Sequence, residues 1–247
     1  MLSLSLFGLQ IVEATAVAKV VAPKIRDKSV KVDAVLDDWQ LKFFADENKI
    51  VLTPKTTSHI NGTIKDDKDG SAIIYVAYDS QNLYLAAQVT DDKTYAEQKG
   101  DAIWQNDCME IWFDGANNAG PFPGEADNYQ VVVDRNGAIH GYRNNNVNKL
   151  VAEIKNAATR QGTSYTLEVQ ILLKAIDGLD LKEGMGFNIT IVDADAAHAA
   201  GGWNRLFWQG NVDVATDTWG DLHFGEPLAV EPQDKLGTTW AQLKKRY

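Results

Sequence analysis

Cysteine is nearly absent: Cys108 is the single one in 247 residues, which rules out an intrachain disulfide and a cysteine-based metal cage. Entering an apolar run from a polar turn, it reads as a small buried hydrophobe. Basic residues are also short, with 24 Lys and Arg against 34 Asp and Glu, a net charge of -10. A surface of that sign repels phosphate backbones and anionic lipid, so no nucleic acid and no membrane is expected as a partner. Four histidines, His59, His140, His198 and His223, are scattered without metal-ligand spacing. No Walker or Rossmann glycine loop and no Gly-x-Ser-x-Gly elbow occurs. No stretch approaches the roughly 20 apolar residues needed to cross a bilayer.

What remains is 45% hydrophobic and 23% charged, the balance of a soluble globular protein with a sizeable core. At the N-terminus, Leu2 to Val12 form a short apolar stretch. Ala14-Thr15-Ala16 or Ala16-Val17-Ala18 then supplies small residues suited to cleavage. This predicts a leader over residues 1–18 and a secreted or periplasmic protein, with one β domain over 19–230 and a surface tail over 231–247.

From Val30 onward the apolar pattern has period two, in short runs broken by Gly, Asn and Asp. "SAIIYVAYDSQNLYLAAQVTDD" predicts a hairpin of Ala72–Tyr78 and Leu83–Val89. Further strands are expected at Met109–Phe113, Tyr129–Asp134, Ala138–Tyr142, Val151–Asn156, Ser164–Leu172, Gly186–Val192 and Gly225–Val230. Helical signal is confined to "LLKAIDGL" and the tail. The fold class expected is all-β, an antiparallel two-sheet β-sandwich of immunoglobulin-like or jelly-roll type.

In "IWQNDCMEIWFDG", alternation puts Met109, Ile111 and Phe113 on a core face and Cys108, Glu110 and Trp112 on the other. Glu110 therefore points to solvent or into a concave surface. Trp104 precedes the strand in a polar loop, where an indole is costly unless something covers it. Aromatic plates with a few convergent polar groups are what a sugar site requires. Trp39, Trp112 and Trp208 are assigned to packing; Trp104 and Trp219, flanked by polar residues or Gly, are expected to be exposed.

"VKVDAVLDDW", "YVAYDSQNLYLAAQVTDD" with "WQNDCMEIWFD", and "TWGDLHFGEPLAV" together resemble the opening, central hairpin and close of family-nine carbohydrate-binding modules. The resemblance spans about residues 28–230. It implies a non-catalytic, DOMON-like sandwich that clamps a terminal sugar of a β-linked glucan or xylan between two tryptophans, Trp104 and Trp219. Glu110 and Asp91 fall at polar sugar contacts. Gln130 stands where the family carries an Arg, and Thr216 where it carries an Asn. A poly- or oligosaccharide is the implied partner, with an associated glycoside hydrolase.

No cofactor is required by this reading, although structural calcium is a family property. "KDDKDGS" offers Asp66, Asp67 and Asp69 as oxygen ligands, and Asp193 with Asp195 forms a similar group. A solvated turn is the competing reading of both. Hydrolysis would need Glu110 paired with Asp91 or Asp107. A haem-binding relative of the fold would need Met109 or Met185 with a histidine. A sandwich that has kept the fold for protein interaction and lost the sugar site is the remaining alternative.

Overall fold

The computed structural model describes residues 17–55, 58–60, 64–122, 125–142, 147–210, 212–213 and 215–228. The expected leader, apart from its last two residues, and the expected tail lie outside them. Strands β1 (Lys19–Lys24), β2 (Lys49–Leu52), β3 (Ser58–Ile60), β4 (Gly70–Tyr78), β5 (Asn82–Asp91), β6 (Cys108–Asp114) and β7 (Asn128–Asp134) make up the first half. β8 (Ile139–Tyr142), β9 (Ile154–Gln161), β10 (Ser164–Leu172), β11 (Met185–Ala194), β12 (Trp203–Phe207) and β13 (Gly220–Pro227) complete the described set.

The β4–β5 hairpin shows how the sequence sets register. Asp79 follows β4, and its Oδ1 accepts the backbone N–H of Gln81 at 2.8 Å and of Asn82 at 2.7 Å, an Asx turn that reverses the chain. Tyr78 then faces Leu83, and pairing runs unbroken to Gly70 opposite Asp91. A one-residue slip would turn Ala72, Ile74 and Val76 out of the core, so the turn and the apolar pattern enforce the same answer.

The all-β class is observed, but hydrogen bonding does not stop between two sheets. It runs continuously as β8-β7-β6-β11-β13-β1-β4-β5-β10-β9, with β12, β3 and β2 attached at the side. The sheet curls so that its two halves face each other. Ile111, Val131 and Ile189 from one half meet Ile74, Leu85 and Leu167 from the other in a single core. Pairing is antiparallel except at β1, which lies parallel to both β13 and β4. β1 thus bridges the halves.

Three expected elements shift. The closing strand expected at Gly225–Val230 runs over Gly220–Pro227, and residues 229–230 lie outside the described ones. "VNKLV" places apolar residues at i, i+3 and i+4, forms the short helix α1 (Val147–Val151) and buries Leu150; the strand begins only at Ile154. "LLKAIDGL" is cut to one 3-10 turn over Leu173–Ala175, and Gly178 lies at φ +80 just beyond.

The "VDAVLDDW" segment is fastened by one buried carboxylate. Glu168 of β10 accepts Trp39 Nε1–H at 2.6 Å and the backbone N–H of Asp33 at 2.9 Å, and also that of Ala34. Burial raises its pKa and the three donors oppose that rise.

Candidate functional site

β6 is buried along its whole length because both faces are covered. Met109, Ile111 and Phe113 face the core as alternation requires. The opposite face is roofed by two satellite clusters. Cys108 joins Tyr95, Ile103, Val132 and Trp203 in one, and Trp112 joins Phe122, Phe207, Val212 and Trp219 in the other. Between the two roofs a cavity of about 220 Å³ remains, lined by Trp104, Glu110, Gln130, Tyr142, Trp203, Arg205 and Asp213.

The aromatic lining groups are fixed by hydrogen bonds to or from the backbone around the Trp104 turn. Trp104 sits on a 3-10 turn over Gly100–Gln105. The polar residues that follow are not solvated: Asn106 and Asp107 are wholly buried. Asn106 Nδ2–H donates to Asp134 Oδ2 at 3.0 Å, while Asp107 accepts the backbone N–H of Tyr95 at 2.9 Å and of Ala194 at 2.8 Å. Trp203 Nε1–H donates to the carbonyl of Trp104 at 3.0 Å, and Tyr142 O–H to that of Asp101 at 2.7 Å. The half-buried indole of Trp104 is thereby fixed at the rim.

Period-two alternation along β12 puts Trp203, Arg205 and Phe207 on one side, with Leu206 turned into the core. The Arg205 guanidinium lies over the rings of Trp203 and Phe207, 4.8 and 5.4 Å from their centroids. Its Nη2 pairs with Asp213 Oδ2 at 2.5 Å and its Nη1 with Glu110 Oε2 at 3.6 Å. Burial works against the charge, but these carboxylates outweigh it and hold the Arg205 pKa above its ordinary value. The loop that delivers Asp213 turns at Gly210, φ +58, where a Cβ would come within 1.9 Å of the Thr218 carbonyl oxygen.

Two polar atoms in this wall have no hydrogen-bond partner among the described residues: Gln130 Oε1, an acceptor, and Arg205 Nε, a donor. Both are buried, and a buried unsatisfied group costs about 1–3 kcal/mol, so the cavity favours a ligand that carries hydroxyls.

Of the residues singled out from the sequence, Trp104, Glu110 and Gln130 are brought together. Trp219 is not: it is 2% exposed, packed 5.2 Å from Phe122 and 6.0 Å from Trp112 by ring centroid. The expectation that it is an exposed second plate is corrected. The second indole at the cavity is Trp203, and it meets Trp104 edge to face, 87° between planes and 5.3 Å between centroids.

Asp91 is corrected too. It is 5% exposed and faces Asp107 and Arg135 rather than the cavity, with Arg135 Nη1 at 3.9 Å from its Oδ2 and 3.0 Å from Asp107 Oδ2. Burial first, and the Asp107 charge second, push Asp91 up to about 8. Asp193 is pushed to about 7 by burial, then by Asp195 and Asp69.

The acids of "KDDKDGS" do not form a calcium cage. Asp66 Oδ1 accepts the backbone N–H of Lys68 and Asp69, Asp69 Oδ2 accepts that of Lys65, and Asp67 points outward. Among the described residues no three His, Cys, Asp or Glu side chains gather in a metal-binding arrangement. The carboxylate nearest Glu110 in the cavity wall is Asp213, and one guanidinium pairs with both. Asp91 and Asp107, the expected hydrolytic partners, are paired elsewhere with Arg135.

Trp203, Tyr142, Arg205 and Asp213 are missed by sequence reasoning. For Trp203 and Arg205 a signal exists in the alternation of "WNRLF". A larger hollow of about 520 Å³ lies beside Trp39 among Ile25, Val30, Pro227 and Leu228, but it gathers none of the residues singled out for binding.

A search of curated proteins returns no match. Among solved structures, a carbohydrate binding module family 9 from Caldicellulosiruptor kristjanssonii in complex with glucose is similar. It has a TM-score of 0.63 and 16% identity, covering 87% of this chain and 100% of that one. The same organism's module in complex with cellotriose gives a TM-score of 0.60 at 16% identity, over 85% of this chain and 96% of that one. At such identity these establish the fold. The family model "Carbohydrate family 9 binding domain-like" matches residues 48–226, most of the chain and every residue lining the cavity. The chain belongs to the carbohydrate family 9 binding domain-like family.

Proposed function

We propose that this protein binds the end of a neutral oligosaccharide in the cavity beneath Trp104, without cleaving it. The observation that carries the reading is the pairing of acceptor Gln130 Oε1 and donor Arg205 Nε, both unsatisfied among the described residues, with two indoles in one small wall. A pyranose has an apolar face for the half-buried indole of Trp104 and hydroxyls at its edge that both donate and accept. The ligands in the solved relatives, glucose and cellotriose, are of this kind.

The volume sets the mode. At about 220 Å³ the cavity is smaller than the roughly 300–1,000 Å³ of drug-sized sites, so it takes one ring and leaves the rest of a chain outside. Because Trp104 and Trp203 meet edge to face, the ring stacks on Trp104 and abuts Trp203 in a corner rather than a parallel clamp. Glu110 supplies a charged acceptor, which hydrogen-bonds more strongly than a neutral one. One ring on such a platform gives about -4 to -8 kcal/mol, on the order of millimolar to micromolar. A secreted module of that affinity gains from a tethered glycoside hydrolase, through which the effective concentration of polysaccharide ends rises.

Isothermal titration calorimetry with glucose, cellobiose and xylobiose tests the reading, with borohydride-reduced cellobiose as control. Binding of cellobiose that vanishes on reduction is the expected result. Absence of heat with all the unreduced sugars, from a folded sample, would refute it.

A further inference from the structure

The two indoles of the cavity rest on a third ring that lies outside it. His198 is exposed, yet its imidazole meets Trp104 at 5.1 Å between centroids and 66° between planes, and Trp203 at 4.9 Å and 89°. Trp104 and Trp203 meet each other at 5.3 Å and 87°. The three rings thus close a triangle of edge-to-face contacts, an arrangement that aromatic quadrupoles prefer. Both indoles line the cavity, while the imidazole touches them without lining it. The backbone holds the imidazole in place. His198 opens a 3-10 turn over His198–Ala200, and Gly201, at φ +77, ends it by donating its N–H to the His198 carbonyl at 3.0 Å. The carbonyl of Gly202 then accepts the N–H of Asp195 at 2.7 Å and of Ala196 at 3.3 Å, and a Cβ at Gly202 would lie 2.7 Å from that of Ala196. The β11–β12 connection is closed tightly by these contacts, and Trp203 follows it directly. One connection therefore supplies both His198 and Trp203 and presents them to an indole carried by a different segment.

Resting on the sugar-end reading, we propose that His198 is a positioning residue for sugar binding: its ring braces Trp104 and Trp203 at their mutual angle, so the corner that receives the first pyranose is formed before the sugar arrives. A half-buried indole on a turn has rotamer freedom that a ligand must otherwise remove on binding, at a cost in affinity. Contact with a ring that is itself held against Trp203 removes that freedom in the free protein. The brace acts on the platform and not on the sugar. Its loss therefore weakens every ligand that enters the cavity by the same factor, whatever part of the chain remains outside.

The experiment is titration calorimetry of the full chain with glucose and with cellobiose, for wild type, His198→Ala and His198→Phe, with near-ultraviolet circular dichroism of each free protein as the readout of the paired indoles. His198→Ala is expected to bind both sugars at least about threefold more weakly, by the same factor, with a thermal midpoint lowered by less than about 4 °C. Its aromatic circular dichroism should weaken. His198→Phe, which keeps a ring at the position, should restore both the spectrum and the affinity. Unchanged glucose affinity in His198→Ala, or a failure of His198→Phe to restore it, would overturn the brace while leaving the sugar-end reading standing. So would a loss confined to cellobiose, which would make His198 a contact for the second sugar ring instead. Wild-type protein that binds neither sugar would refute the sugar-end reading. The free-protein spectra would then decide the brace by themselves, and an unaltered spectrum in His198→Ala would overturn it.

Discussion

Replacing Trp104 by alanine separates a binding platform from a packing residue. The indole is half-buried, with ring contacts to Trp203 at 5.3 Å and His198 at 5.1 Å. A fully buried Trp→Ala change costs about 3–5 kcal/mol, so roughly half of that, about 2 kcal/mol, is expected here. For a domain of this size 1 kcal/mol moves the midpoint by about 2–4 °C, which predicts a drop of about 4–8 °C by calorimetry. Binding should suffer more. Loss of an aromatic anchor at the centre of a site costs about 2 kcal/mol or more, roughly thirtyfold, and this takes a millimolar-to-micromolar ligand to the edge of detection. The variant should thus stay folded at 25 °C and give little or no heat with glucose. Wild-type-like affinity in a folded Trp104→Ala protein would refute the platform argument. A midpoint falling by more than about 15 °C would make Trp104 a core residue.

Trp219→Ala is predicted to lose about 3–5 kcal/mol of stability, because Trp219 is buried against Phe122 and Trp112; Trp219→Phe should restore most of it and keep sugar binding, measured by urea melts and calorimetry. Glu168→Ala strands three donors, two of them buried and Trp39 Nε1–H among these, and should cost about 3 kcal/mol or more in a urea melt without changing the affinity for glucose. Asp91 and Asp193 have folded pKa values raised to about 8 and about 7 from the ordinary 3.8, so the folded state holds their protons more tightly than the unfolded chain. Their contribution is complete below about pH 4 and is lost as pH climbs through 7 and 8, so between those limits these two groups make the midpoint fall with rising pH. Asp91→Asn should flatten that slope and raise the midpoint at pH 8.5 by several degrees, as read by thermal melts across pH.

Much of the fold is legible because period two is a local property. Met109, Ile111 and Phe113 against Glu110 and Trp112 can be sorted from seven residues alone, and the β4–β5 turn is written in Asp79. β1 is different: its place between β13 and β4 depends on strands some 50 and 200 residues away, and its parallel pairing leaves no mark in "KVVAPK". The roofs over β6 are also non-local. Trp219, between Thr218 and Gly220, looks exposed in its own segment, yet Phe122 and Trp112 from distant segments cover it. Asp91 looks like a strand-end acid at the surface until Arg135 and Asp107 arrive.

The site itself was half legible, and the missing half follows one rule. Trp104, Glu110 and Gln130 lie in or beside strands whose alternation is read easily. Trp203 and Arg205 follow Gly201-Gly202, and "WNRLF" is too short to announce a strand by itself. With β12 unseen, Gln130 in place of the family's Arg reads as a guanidinium lost. The structure returns a guanidinium to the same cavity from a different strand, held by Asp213 and two aromatic faces. A hydroxyl bound in the cavity meets the same kind of donor whichever strand supplies it, so the set of donors and acceptors converging on the space decides what can bind. Position by position, a motif comparison weighs Gln130 as a defect; weighed as a cavity, the same chain has an acceptor, a donor and a carboxylate in one wall beneath an indole.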